Sequence, residues 1–263
     1  MELKLTGKIA LVTGSTAGIG NAIATSLARE GASVIVSGRT PAAVDAAVAA
    51  MQAHTKGDVS GFAGDLSEAG VADALLKLHP AVDILVNNLG IFEVRAFEDI
   101  TDADWRRFFE VNVLSGARLS RLYLPAMRRR NWGRIIFISS ESGYHIPAEM
   151  IHYGMTKAAQ IAVARGLAET TAGTGVTVNS VLPGPTRSRG VGDFVAEMAA
   201  KSGQSPETVE KDFFKTARPT SLLQRFATPE EVAALVTYVA SPLSSATNGA
   251  ALRVDGGAIK SAF

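Results

Sequence analysis

Short apolar runs alternate along the chain with longer segments of helical character. Five runs rich in β-branched residues predict strands: IALVT, SVIVS, DILVN, RIIFIS and VTVNSV. Because these runs do not alternate apolar with polar residues, they are typical of strands buried on both faces. The alternation of strands and helices predicts right-handed crossovers and an α/β fold, a doubly wound parallel sheet with helices on both faces.

Several helix starts are marked by a capping residue followed by proline at the first helical position. Thr40-Pro41 and Ser205-Pro206 have this form. Thr228 and Pro229 have it too, and Glu231 completes a capping box with Thr228. These signals predict where three of the helices begin.

The stretch from about Pro183 to Arg225 interrupts the alternation and is rich in glycine, proline, serine and charge. We interpret residues 186–225 within it as a helical lid, a loop with short helices over a substrate site. Its large apolar side chains could pack onto the body of the protein or contact substrate, and packing is the favoured expectation: Phe194, Met198, Phe213 and Phe214. The chain has no internal repeat or linker, so residues 1–263 are predicted to form a single domain.

Composition narrows the range of partners. A formal net charge of +1 gives no general attraction to nucleic acid or to an anionic membrane. The basic run RRRNWGR at 128–134 is interpreted as a solvated helix C-terminus, where cations complement the helix dipole. MELKLTGK has no signal-peptide pattern and no run of about 18 apolar residues occurs, so a cytoplasmic protein is expected. The absence of cysteine excludes disulfides and thiolate chemistry.

The first predicted strand is followed by TGSTAGIG and then by a helix-like segment. Glycines at such a turn let the backbone approach a pyrophosphate, which is then held at the positive end of the helix. This context favours a Rossmann-type dinucleotide site over a tight turn that binds nothing. The residues assigned to the site are Gly14, Ser15, Thr16, Gly18, Ile19 and Gly20.

The same residues allow a weaker alternative. The segment 14–18 has the frame of a hydrolase nucleophile elbow, but Thr16 stands at the place of the usual serine. An elbow would also have no use for Gly20. An acyl hydrolase is therefore the second interpretation of this turn.

The second predicted strand ends VIVSGRTP, which bears on the choice of dinucleotide. An NAD site usually places a carboxylate at the end of this strand, where it holds the ribose 2′-hydroxyl. Here Gly38 takes that place and Arg39 follows it. Because an arginine fork suits a 2′-phosphate, the sequence favours NADP(H), and NAD(H) stays open as the alternative.

From position 152 the chain reads HYGMTKAA, which places Tyr153 and Lys157 on one helix face. The order of TGSTAGIG, NNLG at 87–90 and Tyr-x-x-x-Lys resembles the short-chain dehydrogenase/reductase family, from about Leu5 to Gly257. RFATPEEVA and LRVDGG are similar to its 3-oxoacyl-[acyl-carrier-protein] reductase branch. The resemblance implies a homotetramer that transfers hydride between NADP(H) and a small-molecule carbonyl or secondary alcohol. A non-catalytic dinucleotide-binding regulator is the alternative.

The resemblance also assigns roles to individual residues. It implies a catalytic set of four: Asn112, Ser140, Tyr153 and Lys157. It implies further cofactor contacts from Tyr153 and Lys157 and from Asp65, Leu66, Asn88, Gly90, Pro183, Gly184 and Thr186. Asn112 would hold a water that connects Lys157 to solvent. Leu89 departs from the alanine that is usual in this family.

Electrostatics gives a reason for the lysine beside the tyrosine. Tyrosine has an unperturbed pKa of about 10, too high for acid–base work at neutral pH. An ammonium about 4 Å away, at an effective dielectric constant near 20, is worth roughly 4 kcal/mol, or about 3 pKa units. We therefore expect a pKa of about 7 for Tyr153. No metal site is expected, and His145 and His152 should line the substrate entrance or lie exposed.

Overall fold

A computed structural model describes residues 2–55 and 57–262, and in this part of the chain seven strands form one parallel sheet. They are β1 (Ile9–Val12), β2 (Ser33–Gly38), β3 (Val59–Ala63), β4 (Ile84–Asn87), β5 (Gly133–Ile138), β6 (Val176–Pro183) and β7 (Ala251–Val254). Their order is β3-β2-β1-β4-β5-β6-β7, so the chain winds outward from β1 and then outward from β4 in the other direction. The predicted doubly wound sheet is confirmed.

The five predicted strands correspond to β1, β2, β4, β5 and β6. The sequence pattern missed β3 and β7, which form the two edges of the sheet. In β3 only Val59 is buried, and no residue of β7 is fully buried. Because an edge strand needs no continuous apolar run, its sequence resembles that of a loop.

The described residues contain nine α-helices, which cover both faces of the sheet. They are α1 (Gly18–Arg29), α2 (Pro41–Gln52), α3 (Ala69–Leu78), α4 (Asp102–Phe109), α5 (Ser115–Arg129), α6 (Ile151–Glu169), α7 (Arg189–Ser202), α8 (Pro206–Thr216) and α9 (Pro229–Ala240). Helices α1, α2 and α9 pack on one face, and α3, α5 and α6 pack on the other. A π-helical turn, Glu110–Leu114, joins α4 to α5.

Successive strand residues point to opposite faces and build two apolar cores. On β1, Ala10 and Val12 join the core beneath α1 and α9, whereas Leu11 joins the core beneath α5 and α6. Burying one such large side chain stabilises the fold by about 1.5–3 kcal/mol. Because both faces are covered, the central strands carry the continuous apolar runs seen in the sequence.

The three predicted helix starts are confirmed. Thr40 and Ser205 accept hydrogen bonds from backbone N–H groups of the first turns of α2 and α8. Thr228 and Glu231 form a reciprocal capping box at the start of α9. Each of these helices begins at its proline, as the local sequence requires.

Helices α7 and α8 occupy the predicted lid region and, at 14 and 11 residues, are longer than the short helices expected. Phe213 and Phe214 pack against Phe226, with ring centroids 5.1 to 5.2 Å apart. These rings therefore belong to a small apolar cluster that is separate from the two cores of the sheet and includes Phe226, just after the lid. Met198 is exposed, and the side chain of Phe194 lies outside what the structure describes.

The basic run at 128–134 divides between two environments. Arg128 and Arg129 are exposed at the end of α5, as expected. Arg134 is buried in β5, where it donates hydrogen bonds to the backbone carbonyls of Gly175 and Ser241 at 3.0 and 3.2 Å. The interpretation as a solvated helix end is wrong for Arg134. None of the helices in the described part of the chain has the length and hydropathy to span a bilayer.

Candidate active site

The candidate site lies at the C-terminal edge of the sheet, where β1, β4, β5 and β6 end. The turns after β1 and β4 are neighbours, because the chain winds in opposite directions from these two strands. Open α/β sheets bind ligands in the crevice that such a reversal leaves. The predicted site residues from four strand ends border this crevice.

The glycine turn after β1 has the backbone shape that a pyrophosphate needs. Gly14 and Gly18 have φ angles of +61° and +58°, which favour glycine. A Cβ on Gly20 would lie 2.5 Å from Asn88 Nδ2 and from the Gly14 carbonyl oxygen, so a side chain has no room there. Helix α1 starts after Ala17, which provides no side-chain cap, so its first backbone N–H groups can face an anion.

Three assigned side chains point into the protein instead of the crevice. Ser15 Oγ donates to the Val12 carbonyl at 2.7 Å and accepts from the backbone N–H of Ser37 at 3.0 Å. Ile19 packs against the core beneath α1, and Leu66 is buried in the opposite core. Contacts from these three residues to a dinucleotide would therefore be made by their backbones.

The end of β2 carries the residues that would distinguish the two dinucleotides. A Cβ added to Gly38 would lie 2.5 Å from the Thr16 methyl group, so an acidic side chain has no room at this position. Arg39 is exposed beside it. The hydrogen bond from Ser67 and, to a smaller extent, the charge of Arg39 lower the pKa of Asp65. Arg39 and Asp65 therefore share the same end of the crevice.

The turn after β4 closes the crevice from the other side. Asn88 Nδ2 donates to two carbonyl oxygens of the glycine turn, at 2.9 and 3.2 Å, and so clamps the two turns together. Leu89 packs in van der Waals contact beside Gly14. A Cβ on Gly90 would lie 3.5 Å from Lys157 Nζ, which places this glycine beside the predicted catalytic lysine.

The segment after β6 leads from the crevice into the lid. Pro183 ends the strand, and a Cβ on Gly184 would lie 2.6 Å from the Asp255 carbonyl oxygen. Thr186 is buried and donates from Oγ1 to the Gly184 carbonyl at 2.8 Å. The glycine turn, the uncapped start of α1 and the exposed Arg39 together fit a phosphorylated dinucleotide along this crevice.

Ser140 follows β5 and is connected to the lid by a carboxylate. Its Oγ donates to Glu141 Oε2 at 2.6 Å and accepts from the backbone N–H of Ser142 at 3.1 Å. Glu141 is also buried, and its Oε1 accepts from Arg218 Nε at 3.2 Å. Because Arg218 belongs to the lid, a hydrogen-bonded chain runs from the lid to the serine.

Tyr153 lies in the first turn of α6 and has a raised pKa. Burial is the largest cause, and the negative charge of Glu141 raises the pKa further, while the hydrogen bond with Ser140 and the charge of Arg218 oppose the rise. The nitrogen of Lys157 lies 5.5 Å from the centre of the tyrosine ring. The expected lowering of the pKa to about 7 is therefore wrong for this structure, because desolvation and the carboxylate of Glu141 raise the pKa instead.

Lys157 is buried on the same helix face as Tyr153. Its Nζ donates to the Ile138 carbonyl at 2.9 Å and to Gln160 Oε1 at 3.1 Å. Burial lowers the pKa of Lys157 to about 7, because these neutral oxygens replace only part of its hydration. Lys157 therefore releases its proton more readily than a free lysine does, whereas the tyrosine keeps its proton at neutral pH.

Asn112 lies fully buried in the π-helical turn, a type of irregularity that is frequent at functional sites. Its side chain exchanges hydrogen bonds with the backbone of Ile91 at 2.8 and 3.0 Å and donates to Thr156 Oγ1 at 2.9 Å. Its backbone carbonyl accepts from Gln160 Nε2 at 2.6 Å. The side chain of Gln160 therefore connects the Asn112 backbone to Lys157.

Tight packing of the segment after β5 onto α6 brings the serine and the tyrosine together. Ser139 Oγ donates to the Lys157 carbonyl at 2.8 Å. A Cβ on Gly143 would lie 2.7 Å from the Lys157 carbonyl carbon, so this approach requires glycine. The sequence SSESG thus positions Ser140 against the helix that carries Tyr153.

His152 differs from the sequence-based expectation. It is fully buried, with its ring centroid 4.0 Å from that of Phe108 and 6.1 Å from that of Trp105, and burial lowers its pKa. It packs in the interior and does not line the substrate entrance, while His145 is exposed. Within residues 2–55 and 57–262, no group of three or more His, Asp or Glu side chains is placed to hold a metal ion.

Sequence reasoning missed three residues at this site: Glu141, Gln160 and Arg218. Two of them carried a signal, because Glu141 lies two residues after a predicted buried strand and Gln160 lies three residues after Lys157 on the same helix face. Arg218 carried none, since its contact with Glu141 spans 77 residues and depends on how the lid folds.

Comparison with known proteins agrees with this architecture. A family model described as short chain dehydrogenase matches residues 8–200. The chain is 50% identical to the uncharacterized oxidoreductase YvrD of Bacillus subtilis (strain 168), over 99% of this chain and 100% of that protein. It is 34% identical to the 3-oxoacyl-[acyl-carrier-protein] reductase FabG of Aquifex aeolicus (strain VF5), over 98% of this chain and 99% of that protein.

A solved structure agrees as well. The crystal structure of L-sorbose reductase from Gluconobacter frateurii, complexed with NADPH and L-sorbose, matches with a TM-score of 0.93 and 28% sequence identity. The match covers 99% of this chain and 100% of that one. Sequence and fold thus agree over nearly the whole chain, which belongs to the short-chain dehydrogenase/reductase family of NAD(P)-dependent oxidoreductases acting on CH–OH and C=O groups.

Proposed function

We propose that the protein is an NADPH-dependent carbonyl reductase in which Tyr153 donates a proton to the substrate oxygen. One observation carries the proposal. Ser140 lies close enough to Tyr153 to lower its pKa, and the nitrogen of Lys157 lies 5.5 Å from the centre of the tyrosine ring. These three groups converge beside the glycine turn, at the edge where such sheets bind their ligands.

Each of these side chains has a distinct task. Ser140 orients the substrate carbonyl and stabilises the negative charge that develops on its oxygen. Tyr153 donates its hydroxyl proton to that oxygen. A nicotinamide bound in its reduced form would supply the hydride. Because burial and Glu141 raise the pKa of Tyr153, the hydroxyl keeps its proton at neutral pH and can act as the proton donor in reduction.

Lys157 supports the tyrosine in two ways. Its positive charge stabilises the phenolate that remains after proton donation. Its pKa of about 7 also makes it a stronger acid than Tyr153, so the proton that the tyrosine gives away can be replaced from the lysine side of the site. Asn112 anchors this side of the site through its hydrogen bonds to the loop after β4 and to α6.

Replacement of Tyr153 by phenylalanine tests the proposal directly. Because Tyr153→Phe removes the proton donor, kcat should fall by about 10²- to 10⁴-fold, with the NADPH dissociation constant within about twofold of wild type. NADPH oxidation would be followed with a panel of β-ketoesters, quinones, steroids and sugars, and cofactor binding by fluorescence. The L-sorbose in the similar reductase makes sugars the first group to test.

Tyr238→Phe, an exposed tyrosine on α9, is the matched control and should keep wild-type turnover. Full activity in Tyr153→Phe would contradict the mechanism. A wild-type protein that binds NADPH but reduces no carbonyl would favour the non-catalytic regulator. The acyl-hydrolase alternative has no support in the family comparison.

We assign NADPH as the cofactor because Gly38 leaves no room for an acid and Arg39 stands exposed beside it. Arg39→Asp removes a charge-assisted contact to the 2′-phosphate. It should lower kcat/KM for NADPH relative to NADH by about 10- to 100-fold. Arg29→Asp makes the same charge change at the far end of α1 and should leave the ratio unchanged. Equal ratios in Arg39→Asp and wild type would contradict the assignment.

The family resemblance further supports a single catalytic domain over residues 1–263, with residues 186–225 as a substrate lid, acting in the cytoplasm as a homotetramer. Sedimentation equilibrium tests the last point, since a tetramer would have four times the chain mass of 27.5 kDa. A monomeric or dimeric mass would contradict it.

A further inference from the structure

Gln160 is a buried polar side chain that the mechanism above does not use. It lies on α6 and is 1% exposed. Its Oε1 accepts from Lys157 Nζ at 3.1 Å, and its Nε2 donates to the Asn112 backbone carbonyl at 2.6 Å. Because an ammonium can only donate and a carbonyl can only accept, these two partners determine which end of the amide carries the oxygen.

The partners of Gln160 are themselves held in place. The side chain of Asn112 is bonded to Ile91 and to Thr156, so its backbone carbonyl is a firm anchor. Lys157 Nζ also donates to the Ile138 carbonyl at 2.9 Å. The ammonium is thus held between neutral oxygens, one from the end of β5 and one from α6.

We propose that Gln160 is a positioning residue. Its amide links the fixed backbone carbonyl of Asn112 to Lys157 and so holds the ammonium in the position from which it stabilises the Tyr153 phenolate. This inference rests on the proposed function, since the position of the ammonium affects turnover only if Lys157 supports the tyrosine. A neutral amide suits the task. A carboxylate in place of the amide would form a buried ion pair with Lys157. A hydrocarbon in its place would leave Lys157 Nζ and the Asn112 carbonyl each without one hydrogen-bond partner.

Two substitutions separate positioning from space filling. Gln160→Leu keeps most of the side-chain volume but removes both hydrogen bonds. Gln160→Ala opens a space lined by an ammonium and a carbonyl, in which a water can bridge the two. If the amide positions Lys157, kcat should fall about 10- to 100-fold in the leucine variant and less in the alanine variant, with NADPH affinity retained. If the amide only fills space, the order reverses, because alanine leaves a cavity.

A second measurement needs no cofactor. In the folded protein the pKa of Lys157 is about 7, and in the unfolded chain it is about 10.4. The free energy of unfolding therefore rises with pH across this interval, because the unfolded chain holds a proton that the folded protein has released. Losing the Gln160 oxygen destabilises the ammonium, so in Gln160→Leu the rise should begin about one pH unit lower. Tyr153 faces the ammonium and Glu141 faces Tyr153, and both stay unchanged in these variants.

Asn179→Leu is the matched control. Asn179 is a buried amide on β6 that bridges the backbone of Thr247 and Ala250 at 2.8 and 3.0 Å. Its loss should lower stability without changing kcat per folded molecule or the pH at which stability begins to rise. This control separates the loss of any buried amide from the loss of one that contacts Lys157.

The inference is overturned if Gln160→Leu turns over within about twofold of wild type with an unshifted stability profile. It is also overturned if the alanine variant is more impaired than the leucine variant. If the wild-type protein reduces no carbonyl, the proposed function fails. The stability profile of the cofactor-free protein would still report whether Gln160 supports the ammonium, so the two failures are distinguishable.

Discussion

The two sides of Tyr153 are built from opposite kinds of group. On the floor, defined by Asn112, Lys157 and Gln160, neutral amides and backbone carbonyls surround a buried lysine. On the rim, defined by Ser140, Glu141 and Arg218, a carboxylate and a guanidinium flank the serine. The pKa of Lys157 is lowered to about 7, and that of Tyr153 is raised. The protein thus places its negative charge beside the proton donor and not beside the ammonium.

This arrangement reverses what charge pairing alone would suggest. Free lysine and tyrosine have nearly equal pKa values, about 10.4 and about 10. A carboxylate on the floor would have paired with Lys157 and kept it protonated. With Glu141 on the rim, Tyr153 keeps its proton and Lys157 gives one up readily. The difference teaches that position, and not residue type, decides which of the two is the stronger acid.

Lys157→Met, which removes the floor's charge, should have the largest effect. We expect kcat to fall by about 10²- to 10³-fold, because the phenolate of Tyr153 loses its stabilising cation. The pH-dependent rise in the free energy of unfolding above about pH 7 should also disappear, because its source is the lowered pKa of Lys157. Urea unfolding at several pH values measures this.

Lys215→Met, an exposed lysine at the end of α8, should keep both the turnover and the rise. If the rise persisted in Lys157→Met, another group would be its source, and the contrast between floor and rim would lose its basis.

Glu141→Gln tests the rim at nearly constant volume. Because the charge of Glu141 raises the pKa of Tyr153, its removal should lower that pKa. In alcohol oxidation Tyr153 must be deprotonated to act as the base. The acidic limb of the pH profile of kcat/KM should therefore move to lower pH. The rate below that limb should increase by about 3- to 10-fold. A limb that moves to higher pH would contradict the assignment of Glu141.

Arg218→Met should have the smallest effect and the opposite sign. The charge of Arg218 lowers the pKa of Tyr153 slightly, so its loss should move the acidic limb to higher pH, with about a twofold change in rate. Arg225→Met, a lid arginine paired with Glu231, serves as the control. If Glu141→Gln and Arg218→Met shifted the acidic limb in the same direction, loosening of the lid, and not the charge at these positions, would determine the pH of that limb.

Features that depend on local sequence were predictable. The central strands could be identified because burial on both faces requires continuous apolar runs, and three helix starts because caps are local. Tyr153 and Lys157 were predicted by their spacing and by the order of the motifs around them. The edge strands β3 and β7 were not, since half-exposed strands lack such a run.

Features that depend on distant residues could not be predicted. The burial of His152 results from Phe108 and Trp105, which lie on α4. The pKa of Tyr153 was misjudged because a single charge at an assumed distance was considered, without desolvation and without Glu141. Both errors have the same origin: the surroundings of a buried group are set by elements far away in the chain.

The aromatic cluster of Phe213, Phe214 and Phe226 has a consequence for stability. Among the described residues, the buried apolar side chains of α7 and α8 cluster with each other and with Phe226, and this cluster is separate from the two cores of the sheet. Substitutions within this cluster should therefore loosen α7 and α8 before they weaken the sheet beneath.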